Sequence, residues 1–161
     1  MIFVTVGTHE QPFDRLVKKI DELVRDGYIN EKVFVQIGYS LYEPKYCEWT
    51  KFLGYSEMET FIEKATVVIT HGGPSTYMQV LHKGNIPIVV PREQKYNEHV
   101  NDHQVWVSKQ VSGKGYPLFI CEDVDELLLN IQKSRKTKNI TNVSYNKEFI
   151  RKFMTEVRSI I

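Results

Sequence analysis

The sequence predicts an α/β fold: a single doubly wound parallel sheet followed by a C-terminal helical extension. Two observations carry this reading. Short apolar, β-branched runs alternate along the chain with longer segments whose apolar residues recur every three or four positions. The short runs are also apolar without strict alternation, as strands covered on both faces require.

The elements follow in order. IFVTVG, from Ile2 to Gly7, reads as a buried strand closed by glycine. Phe13, Leu16, Val17, Ile20, Leu23 and Val24 then make one apolar helix face, and Gly27 ends that helix. KVFVQIG, from Lys32 to Gly38, is a second strand. LYEPKYCEWTKFLG is read as a loop with a short strand near Glu48 to Leu53. In SEMETFIEKA, Ser56 with Glu59 three residues on has the form of a capping box. TVVITH, IPIVVP and YPLFIC are strands. STYMQVLHKG, EHVNDHQVWVSKQV and DVDELLLNIQKS are helices, the last capped by Asp123. One domain thus covers residues 1–134. Residues 135–161 supply a polar linker, RKTKNITNVS, and a closing helix with Phe149, Ile150, Phe153, Val157 and Ile160 on one side.

Composition narrows the partners. A net charge of +1 over 161 residues gives no basis for bulk binding to nucleic acid or to a membrane surface. Cys47 and Cys121 are far apart and lack metal-ligand spacing, which predicts free thiols and a cytoplasmic setting. MIFVTVGTHE lacks the basic leader and long apolar run of a signal peptide, and no run reaches transmembrane length. Membrane association is therefore expected to be peripheral, borrowed from a partner.

The chemistry concentrates at two strand ends. Gly7-Thr8-His9 and His71-Gly72-Gly73 each follow a strand and precede a helix. In doubly wound sheets ligands bind outside the carboxyl ends of strands, and a helix N-terminus offers unpaired N–H groups to an anion. Glycines admit a close backbone approach, Pro74 needs no N–H partner in a first turn, and Ser75 and Thr76 add hydroxyls. A diphosphate fits such a loop without an obligatory metal. Spacing alone leaves a purely structural turn equally open, since such turns use glycine and Ser or Thr caps in any case. The dinucleotide GxGxxG and the P-loop GxxxxGK[ST] are both absent, which argues against an ordinary NAD enzyme or P-loop NTPase.

THGGPST, followed by GNIPIVVPR and NEHVNDHQ, resembles the donor-binding half of GT-B glycosyltransferases, the family-28 C-terminal domain. VTVGT, VQIGYS and FLGYSEM extend the resemblance over nearly the whole chain, in the family's order. The sequence resembles the soluble subunits of split bacterial capsule and exopolysaccharide transferases and of the eukaryotic dolichol-linked N-acetylglucosaminyltransferase. The resemblance implies a nucleotide-sugar-binding, Rossmann-like domain, one half of a GT-B fold. It implies a UDP-sugar donor, galactose favoured by the capsule likeness, and no further cofactor. A membrane-associated partner would supply the acceptor site and the lipid-linked glycan.

The resemblance also assigns residues. Gly7, Thr8 and His9 match the first glycine-rich loop, facing the diphosphate and the domain cleft. Tyr55 falls at the wall of the nucleotide base, with Met58 beside it. Gly72, Gly73, Ser75 and Thr76 match the phosphate-holding loop and helix start. Gln79 stands where relatives usually carry a glutamate for the ribose hydroxyls; an amide keeps the hydrogen bonds but not the charge-assisted strength. Asn101, His103 and Gln104 match the segment that contacts donor sugar and diphosphate. Arg92 either adds charge near the phosphates or sits on the surface. The implied reaction is inverting displacement at the anomeric carbon. The partner is expected to provide the base; His9 is the one in-chain candidate.

Other readings stand beside these. His99 and His103, four apart on an expected helix, have zinc-compatible spacing, but no HExxH pattern or cysteine completes a set, and no metal is expected. Trp49 and Trp106 read as core or interface aromatics rather than sugar platforms. Lys133, Arg135, Lys136 and Lys138 form a solvated basic run that could also touch anionic headgroups. Asn139 and Asn142 start glycosylation sequons in form only. The closing helix either packs on its own sheet or contributes to the partner interface. The rival function is a non-catalytic enhancer of a glycosyltransferase. A nucleotide-sugar epimerase is disfavoured by the missing second domain.

Overall fold

The computed structural model describes residues 1–138 and, beyond them, residues 151, 152, 155, 156, 158 and 159. The elements are β1 (Ile2–Thr5), α1 (Asp14–Arg25), β2 (Val33–Gln36), β3 (Glu48–Thr50), α2 (Tyr55–Lys64), β4 (Val67–His71), α3 (Pro74–His82), β5 (Ile88–Val90), α4 (His103–Gly113), β6 (Phe119–Ile120) and α5 (Leu127–Lys138). Short 3₁₀ turns at Gln94–Tyr96 and Val124–Glu126 precede α4 and α5.

Among the described residues the strands form one all-parallel sheet in the order β3-β2-β1-β4-β5-β6. The sheet grows leftward from β1 and rightward from β4. The direction reverses between these neighbours, and their carboxyl ends open the crevice where such folds bind ligands. Successive strand residues face opposite sides. Ile2, Val4, Val67, Ile69, Ile88 and Val90 pack with Leu16, Val17 and Ile20 of α1 and Leu127 and Ile131 of α5. Phe3 and Val68 face Ile62 and Val80, and Val89 faces Tyr77, Val107 and Val111. The sheet therefore lies between α1 and α5 on one side and α2, α3 and α4 on the other, as its two-sided apolar strands predict.

Several boundaries differ from expectation. The cap of α2 is Gly54, whose N–H donates to Glu57 Oε2 at 2.8 Å, so the one half of the box that forms lies two residues before Ser56 and Glu59. The helix expected from Glu98 begins at His103. Asn97 takes a left-handed conformation, φ 57°, and Glu98 turns inward to Arg15, which breaks the helix path. His99 and His103 therefore share no helix face, and the zinc spacing does not exist. α5 runs to Lys138 rather than stopping at Ser134. No glycine or proline intervenes, and Arg135 pairs with Glu31, so residues 135–138 are helix rather than linker. Asp123 accepts from Asp125 N–H at 2.9 Å, capping the turn into α5 as expected. Phe149, Ile150, Phe153, Val157 and Ile160 lie outside the described residues.

The loop before β3 is fixed by two carboxylates of α1. Asp14 Oδ1 accepts from the N–H groups of Leu41 and Tyr42. Asp21, almost wholly buried, accepts from the Tyr42 hydroxyl at 2.7 Å and from the N–H groups of Lys45, Tyr46 and Cys47 at 3.0, 2.8 and 3.1 Å. Burial alone would raise the Asp21 pKa, but these donors hold it below the usual carboxylate range. Asp21→Asn turns an amide nitrogen toward N–H groups and is expected to cost about 2–4 kcal/mol near pH 7, measured by urea unfolding. Because the folded pKa is depressed, the wild-type advantage is full above about pH 4 and shrinks as pH falls further. A pH-independent difference would contradict the assignment.

Candidate functional site

The crevice is built around two chain tips. Gly7, directly after β1, has φ 76°, a conformation that suits glycine. Its N–H donates to Thr5 Oγ1 at 3.3 Å, and its carbonyl accepts from Gln36 Nε2 at 3.1 Å. Gln36, the polar residue ending the apolar β2 run, also donates to Lys51 O at 2.8 Å, and its Oε1 receives the Thr5 hydroxyl at 2.5 Å. These bonds fix the peptide that carries Thr8 toward the cleft.

The second tip follows β4. The Gly72 N–H donates to Gln104 Oε1 at 3.0 Å, and its carbonyl accepts from the Tyr77 hydroxyl at 2.7 Å. Gly73 ends in the extended region and Pro74 opens α3. The N–H groups of Thr8, Gly73 and Ser75 bond to nothing among the described residues. They are available to a ligand at the positive end of the α3 dipole.

His71 sits between the tips. A methyl placed at Gly7 would lie 2.6 Å from its ring, and one at Gly73 would lie 2.3 Å from its Nε2. The imidazole thus fills the space both glycines leave. Burial first, then the charge of Arg92, lowers the His71 pKa to about 3. It stays neutral across the physiological range and serves as a dipole rather than a charge.

A cavity of about 200 Å³ between the tips is walled by Gly7, Thr8, Tyr55, Met58, His71, Ser75, Thr76 and Gln79, with Thr5, Gln36 and Leu53 deeper in. A larger cavity of about 410 Å³ shares Tyr55, Ser75 and Gln79 with it and continues between α2 and α3 past Met78, His82 and Lys83. Tyr55 stands 68% exposed at the junction, an aromatic face beside a trough of ligand size. None of the residues lining the smaller cavity carries a fixed charge.

The remaining expected residues line neither cavity. Gln104 sits beneath Gly72 and accepts from Arg92 N–H as well, at 3.0 Å. Asn101 and His103 are exposed at the start of α4, where Asn101 Oδ1 accepts from His103 N–H. His9 stacks on His99, with ring centroids 4.6 Å apart. Arg92 is neither on the surface nor in the cavity wall. It is fully buried, and its guanidinium donates to the carbonyls of Gln11, Glu98 and Val6 at 2.6, 3.0 and 2.8 Å. Burial pushes its pKa down to about 10, which leaves it charged.

Two contributors escaped the sequence reading as site residues, His71 and Gln36, while Arg92, expected near the phosphates or on the surface, is buried beneath the site. Gln36 left a signal, a polar residue closing an otherwise apolar strand; the buried course of Arg92 left none. Gly73→Ala keeps a permitted backbone yet drives a methyl into His71. It is expected to cost about 1–3 kcal/mol in thermal or urea unfolding, and His71→Ala in the same chain should recover most of that loss. Simple additivity of the two changes would refute the contact.

Comparison with known proteins gives this geometry a family. The model of the glycosyltransferase family 28 C-terminal domain matches residues 1–157. The chain is similar to the UDP-N-acetylglucosamine transferase subunit ALG13 of Homo sapiens, 32% identical over 134 residues, which are 74% of this chain and 11% of that protein. Its fold matches the glycosyltransferase SnogD from Streptomyces nogalater, with TM-score 0.55 and 16% identity over 99% of this chain and 38% of that one. It also matches the glycotransferase of kitacinnamycin, with TM-score 0.62 and 19% identity over 99% and 39% of the two chains. The glycosyltransferase VinC in complex with DTDP gives TM-score 0.57 and 13% identity over 99% and 37%. At these identities the structures speak to fold alone, and the chain spans only a minor part of each relative. With a family match along almost its whole length and a six-stranded parallel sheet that superposes on part of larger glycosyltransferases, the chain belongs to the glycosyltransferase family 28 C-terminal domain, one half of the GT-B fold.

Proposed function

We propose that this chain is the donor-binding subunit of a two-component inverting glycosyltransferase. It holds a UDP-sugar, galactose favoured, for transfer to a lipid-linked glycan in capsule or exopolysaccharide synthesis. A membrane-associated partner supplies the acceptor site and keeps this subunit at the cytoplasmic face of the membrane. Among the described residues no helix is long and apolar enough to cross a membrane. The observation that carries the reading is the pair of chain tips with free N–H groups around an open, uncharged cavity at the β1–β4 switch point. The subunit and nucleotide-sugar named for ALG13 support the donor class.

In this reading the diphosphate lies between Gly7-Thr8 and Gly73-Ser75-Thr76. Tyr55 and Met58 bound the base, and Gln79 faces the ribose. Asn101, His103 and Gln104 flank the sugar side. The acceptor oxygen attacks the anomeric carbon as the bond to the diphosphate oxygen breaks, so the configuration inverts. The acceptor proton passes to a base on the partner, and the electron pair departs with UDP. N–H groups of the tips, the α3 dipole and the hydroxyls of Ser75 and Thr76 meet the charge that develops on the leaving oxygen. Preorganised donors of this kind act where charge appears in the transition state. His9, two residues beyond Gly7 in the chain, is assigned to leaving-group contact rather than acceptor deprotonation.

Calorimetric titration of the chain alone with UDP is expected to show binding, weakened roughly tenfold or more in Thr76→Ala through loss of a hydroxyl contact. Sugar transfer is expected only with the partner present. Absence of UDP binding, with the partner fully active on its own donor site, would favour the enhancer role instead.

A further inference from the structure

We propose that Tyr77, which lines neither cavity, is the positioning residue of the second tip: its hydroxyl holds the Gly72 carbonyl and so aims the Gly73 N–H at a bound diphosphate, with Ser108 orienting the hydroxyl. The proposal rests on the donor-binding reading above and adds to that site a residue which touches no ligand itself.

The Gly72 carbonyl and the Gly73 N–H belong to one peptide unit. That unit is planar and trans, so its two polar groups point in opposite directions. The carbonyl faces the Tyr77 hydroxyl, 2.7 Å away, and the hydroxyl in turn meets Ser108 Oγ on α4; both side chains are fully buried. The Gly73 N–H therefore points away from this buried pair, and it bonds to nothing among the described residues. The route from it to a ligand is short. Gly73 packs on His71, and His71, Ser75 and Thr76 line the smaller cavity. Two successive glycines leave the torsions on either side of their peptide loosely restrained. Rotation of the unit would present a carbonyl oxygen to the phosphates in place of a donor. Among the described residues no other hydrogen bond reaches the Gly72 carbonyl, so Tyr77 is what opposes that rotation.

The hydroxyl hydrogens are too few for their contacts. Tyr77 and Ser108 bring one each to three: Tyr77 with the Gly72 carbonyl, Tyr77 with Ser108, and Ser108 with the Gln104 carbonyl. The Gln104 carbonyl lies inside α4 and already accepts a helical N–H, whereas the Gly72 carbonyl has Tyr77 alone. The arrangement that leaves no buried carbonyl unpaired has Tyr77 donating to Gly72 and Ser108 donating to Tyr77. Burial raises the Tyr77 pKa, so the hydroxyl keeps its hydrogen across the physiological range. A hydroxyl that accepts one bond donates the other more strongly, and Ser108 thereby acts on the tip through Tyr77.

UDP calorimetry and amide NMR compare wild type with Y77F, S108A and Y77F/S108A. Y77F keeps the ring that packs against α4 and removes the oxygen alone. It is expected to weaken UDP binding roughly three- to tenfold, the loss of one aimed N–H contact. At saturating UDP the Gly73 amide shift should shrink in Y77F, while the Thr8 shift on the other tip keeps its wild-type size; a merely structural role would lower both. S108A is expected to weaken binding about twofold on its own and not at all in the Y77F background. Should Y77F fail to fold, S108A carries the same comparison of Gly73 with Thr8. Unchanged UDP affinity and an unchanged Gly73 response in the variants overturn the role of Tyr77 and leave the donor site standing. Equal losses at both tips, or additive effects of the two substitutions, overturn it likewise. No UDP binding to wild type overturns both readings.

Discussion

The crevice depends on one buried cation. Arg92 reaches from the end of β5 to carbonyls of the β1 loop, at Val6 and Gln11, and of the segment before α4, at Glu98. Its guanidinium also lies over the Phe13 ring at 4.8 Å. Both terminal nitrogens of this buried charge are bonded, though Nε has no partner among the described residues, and removing one side of such an arrangement typically costs about 3–5 kcal/mol. Arg15 adds a parallel tie through both carboxylate oxygens of Glu98 and the carbonyls of Pro91 and Glu122. Gln104 completes the set by accepting from Gly72 and Arg92 with one oxygen. Three loops that would otherwise move separately are thereby held in one register. This suits a site that must aim backbone N–H groups at a ligand.

The site so built is polar but nearly uncharged. Its wall offers N–H groups, hydroxyls, an amide and a neutral imidazole, while the nearest guanidinium is sealed below. Dipoles fixed in place need no reorganisation when negative charge develops on a leaving diphosphate, and they gain strength when a partner excludes water. On the proposed reading, a wall without fixed cations would also release an anionic product more readily than a ring of arginines would. On the proposed reading the trough beside Tyr55 is the side that a partner would complete.

The architecture was legible because it rests on local periodicity. The buried runs of β1, β4 and β5 follow from continuous apolar stretches, and the apolar face of α1 follows from a repeat of three to four residues. The tips were legible from Gly7-Thr8 and Gly73-Pro74-Ser75-Thr76, and the structure gathers Gly7, Thr8, Tyr55, Met58, Ser75, Thr76 and Gln79 around one cavity. What escaped was non-local. The helix expected at Glu98 failed because that carboxylate bonds to Arg15, 83 positions away. Arg92 could not be placed because its partners at Val6 and Gln11 lie 86 and 81 residues distant. His71 read as the last residue of a strand, and only the adjacency of β1 and β4 makes it the wedge between two glycines.

The central claim is that the tips after β1 and β4 grip a pyrophosphate through backbone N–H groups. The most direct measurement is amide NMR of the isotope-labelled chain during addition of UDP. The account predicts the largest proton shifts at Thr8, Gly73, Ser75 and Thr76, with the β6 end unmoved. Perturbations confined to another face of the sheet, with these amides silent at saturating nucleotide, would contradict it.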